Sequence, residues 1–304
     1  SCRSCGEVMK CPHCDVSLSE HKGGRLICHY CGYTQPMPKL CPKCGSKYIL
    51  GFKAGTQQIE EKLKELYPGV RTLRMDADTT RTKDSYEKIL SSFANGEADV
   101  LIGTQMIVKG HDFPKVTLVG ILAADLSLNA SDYRAGERTF QLLTQAVGRA
   151  GRGVLPGEAV IQTYQPDHYA ITCAAAQDYE SFYQEEILYR ELSGYPPVAH
   201  MLAVQIYGKE EENVKQLALR LTDVVKSNMD FLSGKQKEQS NKKIQVLGPA
   251  PANISKINDI YRYVFYVKHA EYDVLVEVKD RLEETLRQWQ PRQMSIQFDF
   301  DRKR

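Results

Sequence analysis

Four C-x-x-C pairs crowd into the first 44 residues: Cys2/Cys5, Cys11/Cys14, Cys28/Cys31 and Cys41/Cys44. The ninth cysteine, Cys173, stands alone. Two residues between cysteines let one tight turn present both thiolates to a single ion. Gly6, Gly32 and Gly45 follow three of the second cysteines, where a positive φ brings the turn close to a metal without a Cβ clash. Pro12 and Pro42 stiffen two of the turns. Eight thiolates in tetrahedral sets imply two zinc ions, and a small module of this kind draws folding energy directly from its metal. Disulfides belong in secreted chains with weak cores. Here the cysteine-poor remainder is long enough to fold unaided, which favours metal in a reducing, cytoplasmic compartment.

The spacing bears on the pairing. Five residues, Gly6 to Lys10, are few for two opposed knuckles, whereas the 13 between Cys14 and Cys28 can form a hairpin, though slightly shorter than the usual ribbon spacing. This favours nesting, with Cys11/Cys14 and Cys28/Cys31 on an inner ion and Cys2/Cys5 and Cys41/Cys44 on an outer one. Sequential and interleaved pairings stay open. His13 and His29 lie inside knuckles, but eight cysteines already suffice, so both are read as surface residues. Between Ser1 and Leu50 seven Lys/Arg face three Asp/Glu. Two ions with eight thiolates carry about −4 and would cancel that excess, so electrostatics alone does not make the module a DNA clamp.

The whole chain has 304 residues, a net charge of +2, 42% hydrophobic and 26% charged side chains. That allows two or three domains with real cores, and no global basic field announces nucleic acid. No apolar run approaches the roughly 20 residues of a membrane span, so no membrane partner is expected, and no signal peptide opens the chain. Because Ser1 stands directly before a metal-site cysteine, the sequence is expected to continue a longer protein upstream.

From Lys53 onward the pattern alternates. Helices are expected at Gly55–Leu66, Thr82–Phe93 and Arg134–Val147, and strands at Val70–Met75, Asp99–Gly103, Val116–Ala123 and Gly157–Tyr164. Such alternation implies a parallel sheet covered on both faces, with functional loops at the carboxyl ends of its strands. Thr104-Gln105-Met106-Ile107-Val108-Lys109-Gly110-His111-Asp112-Phe113 follows the second of these strands. Gln145-Ala146-Val147-Gly148-Arg149-Ala150-Gly151-Arg152-Gly153 follows the third helix. Glycines permit a tight turn and arginines present planar forks suited to phosphate. One such arginine can neutralise charge developing on a transferred phosphoryl group. The plainer reading is a basic helix C-terminus complementing its dipole.

Q-x-x-G-R-A-G-R from Gln145, preceded by G-T-Q-M-I-V-K-G-H-D-F-P from Gly103, resembles motifs six and five of superfamily-2 helicases. With the cysteine knuckles upstream, the whole chain resembles the C-terminal half of the PriA family of bacterial primosomal replication-restart helicases. Further matching stretches are G-T-Q-Q-I-E-E-K-L from Gly55, R-M-D-A-D-T-T from Arg74, D-Y-R-A-G-E-R-T-F-Q-L-L from Asp132, R-E-L-S-G-Y-P-P from Arg190 and L-G-P-A-P-A from Leu247.

The resemblance implies a RecA-like second motor lobe, with a cysteine module inserted before it that binds two zincs in the nested arrangement. It implies that Arg149 and Arg152 face the γ-phosphate of ATP, and that Gly110, Asp112 and Gln145 belong to the nucleotide-coupling machinery. Thr104, Gln105 and Lys109 would lie along single-stranded DNA, with Lys109 equally suited to the nucleotide cleft. Asp125 is as well explained by capping a helix. No G-x-x-x-x-G-K-[ST] loop and no D-E-x-H run is present, so the ATP and Mg2+ site would be completed by an upstream lobe and this chain would not hydrolyse ATP alone. The implied activity is 3′ to 5′ DNA unwinding at stalled or branched forks. The implied partners are single-strand-binding protein, other primosome proteins and the replicative helicase loader, with the protein a monomer.

Between Tyr164 and Glu191 a mostly helical segment carries Tyr169, Tyr179, Phe182, Tyr183 and Tyr189, read as packing aromatics rather than base-stacking ones. Beyond Tyr195-Pro196-Pro197 the expected order is strand Met201–Tyr207, helix Glu210–Asn228, strand Ile244–Leu247, strand Tyr261–Val267, helix Tyr272–Trp289 and strand Ser295–Phe300, a split βαβ α+β domain. Ser233–Lys243 reads as a polar loop. Lys256, Arg262, Lys268 and Arg302-Lys303-Arg304 are candidates for phosphate contact, against a reading as scattered surface charge. The expected domains are thus 1–50, 51–195 and 196–304. The competing reading, a zinc-dependent loading platform with no catalytic share, leaves Arg149 and Arg152 without a purpose.

Overall fold

The computed structural model describes residues 2–21, 24–49, 55–76, 79–80, 83–108, 113–130, 132–227 and 243–301. They form two units: Ser1–Gly51 together with Ile187–Arg304, and Phe52–Glu186.

In the first unit the cysteine segment carries a three-stranded antiparallel sheet of β1 (Ser19–His21), β2 (Arg25–Ile27) and β3 (Thr34–Pro36). The β1–β2 hairpin occupies the stretch between Cys14 and Cys28, where the spacing called for one.

The C-terminal part of this unit is a four-stranded antiparallel sheet of β8 (His200–Gly208), β9 (Gln245–Ile257), β10 (Ile260–His269) and β11 (Met294–Phe300), in the order β11-β8-β10-β9. Helices α7 (Glu211–Ser227) and α8 (Tyr272–Trp289) complete the β-α-β-β-α-β order that the sequence led us to expect. Alternate residues Leu202, Val204 and Ile206 of β8 meet Val214, Leu217 and Leu221 of α7 and Leu275, Val278 and Leu282 of α8 in one core. Each such fully buried side chain contributes about 1.5–3 kcal/mol. Helix α8 stops at Trp289 because Gln290 adopts the left-handed conformation and Pro291 follows.

Strand β9 runs ten residues beyond the expected Leu247, through Pro249 and Pro251. It is an edge strand with register shifts against β10, the setting in which prolines sacrifice no ladder bond.

The second unit contains α1 (Thr56–Leu66), β4 (Thr72–Met75), α2 (Lys83–Ala94), β5 (Val100–Gly103), a 3-10 turn (Gln105–Val108), β6 (Leu118–Ile121), α3 (Asp125–Leu128), α4 (Ala135–Val147), β7 (Glu158–Ile161), α5 (Tyr169–Ala176) and the start of α6 (Tyr179–Ser193). The alternating α/β order is the expected one and the strand pairs are parallel. Among the described residues they form two separate pairs, β4–β5 and β6–β7, rather than one continuous sheet. Phe140 and Leu143 of α4 pack with Ala170, Ile171 and Ala174 of α5 and Phe182 of α6; Phe140 and Phe182 stack at 4.0 Å between ring centroids. Tyr169 joins this core, while Tyr179, Tyr183 and Tyr189 stay exposed. The aromatic segment is therefore only partly a packing surface.

Candidate functional site: two four-cysteine clusters and a basic turn

Three of the four knuckles close by one device. The amide of Gly6 donates to Cys2 O at 2.9 Å, that of Gly32 to Cys28 O at 3.0 Å and that of Gly45 to Cys41 O at 2.9 Å. All three glycines have φ between +71° and +76°, a region costly for residues with a Cβ. The eight cysteines gather in two sets, Cys2/Cys5/Cys41/Cys44 and Cys11/Cys14/Cys28/Cys31, with all sulfurs of a set within 4.8 Å. This is the nested arrangement. Facing sulfurs lie 3.6 Å apart for Cys2/Cys44, 3.7 Å for Cys5/Cys41 and 3.6 Å for Cys11/Cys31. Thiolates at about 2.3 Å from a tetrahedral zinc stand about 3.8 Å apart, whereas a disulfide needs about 2.05 Å. The donor set therefore fits zinc. Neither His13 nor His29 enters a cluster.

Four thiols this close cannot all ionise without a cation. In the inner set, burial pushes Cys14 up to about 12, against a hydrogen bond from Asn258 that pulls it down. Burial also raises Cys28, but the amides of Cys31 and Tyr30 and the Cys11 thiol outweigh it and bring Cys28 down to about 7. A divalent ion supplies the charge that lets all four deprotonate.

In the second unit, Gly148 ends α4 and the chain turns through Arg149, Ala150 and Gly151. Gly151 has φ +70°, and its amide donates to Val116 O at 3.0 Å. A Cβ on Gly157 would lie 2.1 Å from Gly151 N, and one on Gly153 2.2 Å from Pro114 O. The glycines of this stretch thus serve close backbone approach. Arg149 is half-buried; Arg152 is exposed, with Nε donating to Gly148 O at 2.6 Å. Gln145 is exposed on α4, and Thr104 and Gln105 are exposed beyond β5. Lys109, Gly110 and Asp112 lie outside the described residues, as do Arg302, Lys303 and Arg304 and most of the Ser233–Lys243 loop.

Asp125 is the first residue of α3, where a carboxylate suits the helix dipole, but Ala124 holds the cap position, no side chain caps the helix, and the Asp125 carboxylate is engaged elsewhere. Its Oδ1 accepts from Thr163 Oγ1 at 2.7 Å, and both oxygens lie 3.1 Å from Tyr164 N. The Thr163 hydroxyl and the Tyr164 amide hold its carboxyl below the usual range against the opposing effect of burial. Lys268 is not available to phosphate: it is 4% exposed, donates to Ser193 O at 3.0 Å and sits 3.4 Å over the Tyr195 ring. Lys256 donates to Pro12 O at 2.9 Å, and the Arg262 guanidinium lies over the Tyr207 ring.

Residues 11–36 match the PriA DNA helicase Cys-rich region domain, 40–154 the helicase conserved C-terminal domain and 191–302 the primosomal protein N C-terminal domain. The replication restart protein PriA of Bacillus subtilis is 43% identical over 302 residues, 99% of this chain and 36% of that protein. The chain belongs to the PriA family. The PriA of a Synechocystis strain is 39% identical over 306 residues, 99% of this chain and 35% of the relative, and that of Borreliella burgdorferi is 35% identical over 289 residues, 94% and 42%. The chain spans about a third of the length of the first two PriA relatives.

Two contacts of this PriA-family chain escaped the sequence reading. The Asn258 amide reaches Cys14 Sγ at 3.2 Å from 244 residues away. Gly136 on α4 admits the Tyr169 hydroxyl and the buried Glu186 carboxylate, which meet at 2.7 Å. No local motif announces either contact, because both depend on which distant elements become neighbours.

Proposed function

We propose that the chain is the C-terminal portion of an ATP-dependent DNA helicase that restarts replication at stalled or branched forks. It would comprise a two-zinc module over residues 1–50, the second motor lobe with its following helix over 51–195 and an α+β domain over 196–304. The supporting observation is the helicase C-terminal match over residues 40–154, which contains the Gly148–Gly153 turn and lies between two PriA-specific matches.

In this reading each four-cysteine cluster holds one zinc, which fixes its module rather than reacting. Arg149 and Arg152, at the end of α4, stabilise charge on the γ-phosphate of ATP bound with Mg2+ by an upstream lobe. Gln145, Gly110 and Asp112 couple nucleotide state to DNA grip. Thr104, Gln105 and Lys109 follow the single-stranded backbone. Alternate closing and opening of two lobes would move the protein 3′ to 5′. The partners are single-strand-binding protein, primosome proteins and the helicase loader, and the intact protein acts as a cytoplasmic monomer. No helix among the described residues is long and apolar enough to cross a membrane.

The test is DNA-stimulated ATP hydrolysis by this chain, by a separately expressed upstream half and by their mixture. Activity confined to the mixture, and lost with Arg152→Ala, is expected. Zinc and DNA binding without hydrolysis in the mixture would instead identify a loading platform and remove the roles of Arg149 and Arg152.

A further inference from the structure

The β9–β10 turn grips the inner cysteine cluster. Asn258 and Asp259 have consecutive positive φ values of +50° and +58°, the geometry of a two-residue I′ hairpin turn. That tight turn seats on the Pro12–Asp15 knuckle. The Asp15 amide donates to Lys256 O at 2.9 Å and the Asp259 amide to His13 O at 2.9 Å. Ser255 Oγ donates to Asp15 Oδ2 at 2.9 Å, Lys256 Nζ to Pro12 O at 2.9 Å, and His13 Nδ1 lies 2.7 Å from Asp259 Oδ2. Ile257 packs against Cys11, Cys14 and Cys28. The Asn258 amide points at a ligand atom itself, Cys14 Sγ, at 3.2 Å.

The outer cluster has no such cover. Cys5 and Cys44 are exposed, whereas in the inner cluster only Cys31 is even half-exposed. Among the described residues no hydrogen bond joins the outer knuckles to the C-terminal domain. Two sites of identical ligand chemistry therefore sit in different surroundings. Donors to a ligating thiolate reduce its charge density and hold its orientation, and groups bonded to the ligands commonly govern metal affinity. A seated hairpin also keeps water and chelators from the sulfurs.

We propose that the Asn258–Asp259 turn supports the inner zinc through its cysteine ligands, locking that ion and the cysteine module to the C-terminal domain and leaving the outer zinc as the exchangeable one. Chelator or thiol oxidant would then strip the outer ion first, and only loss of the inner ion would release the turn. The proposal rests on the two-zinc reading.

The test follows zinc release from the 304-residue chain into excess 4-(2-pyridylazo)resorcinol. The expected result is two phases of equal amplitude, with the fast phase abolished by Cys44→Ser. The pair Ser255→Ala with Asp259→Ala, at surface positions outside the C-terminal core, is expected to speed the slow phase roughly tenfold and leave the fast one unchanged. Asn258→Gly, which keeps the amide and the backbone conformation, is expected to change neither. A slow phase unmoved by the double substitution, or both phases accelerated alike, overturns the proposal. Amide exchange gives a second readout: Asn258 is expected to stay protected after the fast ion leaves and to lose protection with the slow one. Protection surviving removal of both ions overturns it too. A wild-type chain binding fewer than two zincs at the outset would instead defeat the two-zinc reading itself.

Discussion

Both carboxylate oxygens of Asp125 lie 3.1 Å from the main-chain nitrogen of Tyr164, so one side chain ties the exit of β6 to the exit of β7. Asp125→Ala is expected to lower the melting temperature of the second unit more than Asp125→Asn, which keeps an acceptor oxygen. The Asp125 pKa is lowered in the folded chain, below an unfolded value of about 3.9. Its contribution is therefore complete above pH ~4 and is lost as pH falls through the folded value. Melting by circular dichroism from about pH 6 to about pH 3 should show a steeper acid loss in wild type than in Asp125→Asn. Equal acid slopes would refute this role.

Gly136 lies close against the ends of two side chains. A Cβ there would lie 2.8 Å from the Tyr169 hydroxyl oxygen and 2.9 Å from Glu186 Oε2. Gly136 is the second residue of α4, where alanine is ordinarily the better helix former, but here its Cβ must push apart the ends of a hydrogen-bonded pair. Gly136→Ala is expected to destabilise the second unit by about 1–3 kcal/mol, the usual range for overpacking. Urea unfolding of the variant, compared with Gly136→Ala/Tyr169→Phe to relieve part of the clash, measures it.

Each cluster is expected to bind one zinc. Cys14→Ser and Cys41→Ser should each reduce the zinc content of the purified chain from two ions to one. The double variant should leave the module open to protease, because the metal supplies much of its folding energy. Elemental analysis decides the first point and limited proteolysis the second.

Burial lowers the Lys268 pKa to about 8, below an unfolded value of about 10.4. Between those values the folded chain binds fewer protons than the unfolded one. The contribution of Lys268 to stability therefore falls as pH drops from about 10.4 to about 8 and is flat below. The stability of wild type relative to Lys268→Met should rise between about pH 8 and about pH 10. Trp289, the one tryptophan in the sequence, packs against the C-terminal core and makes urea unfolding of that domain readable by fluorescence. A pH-independent difference would show that the site does not resist protonation.

Local sequence determined a good deal of this protein. The C-x-x-C turns with their glycines bring both thiolates of a pair together wherever the chain goes, so the metal-type chemistry was legible from spacing alone. The alternation of helix and strand, the β-α-β-β-α-β order and the end of α8 before Pro291 follow from periodicity and from residues acting on their own backbone. The arginines at the end of α4 were legible for the same reason.

Tertiary structure decided what depends on distant neighbours. The strand expected over Ile244–Leu247 continues through Pro249 and Pro251 to Ile257 because it lies at the sheet edge, a position unknown until the strand order forms. Lys268 looked like a surface cation and is buried against Tyr195 because β8 and β9 flank its strand. The two sets of four cysteines, chemically alike in sequence, differ because a turn 244 residues away settles on one of them. Short-range signals in the chain specify turns and periodicity. Burial, strand order and the support of metal ligands from behind are created only when remote segments exclude water from one another.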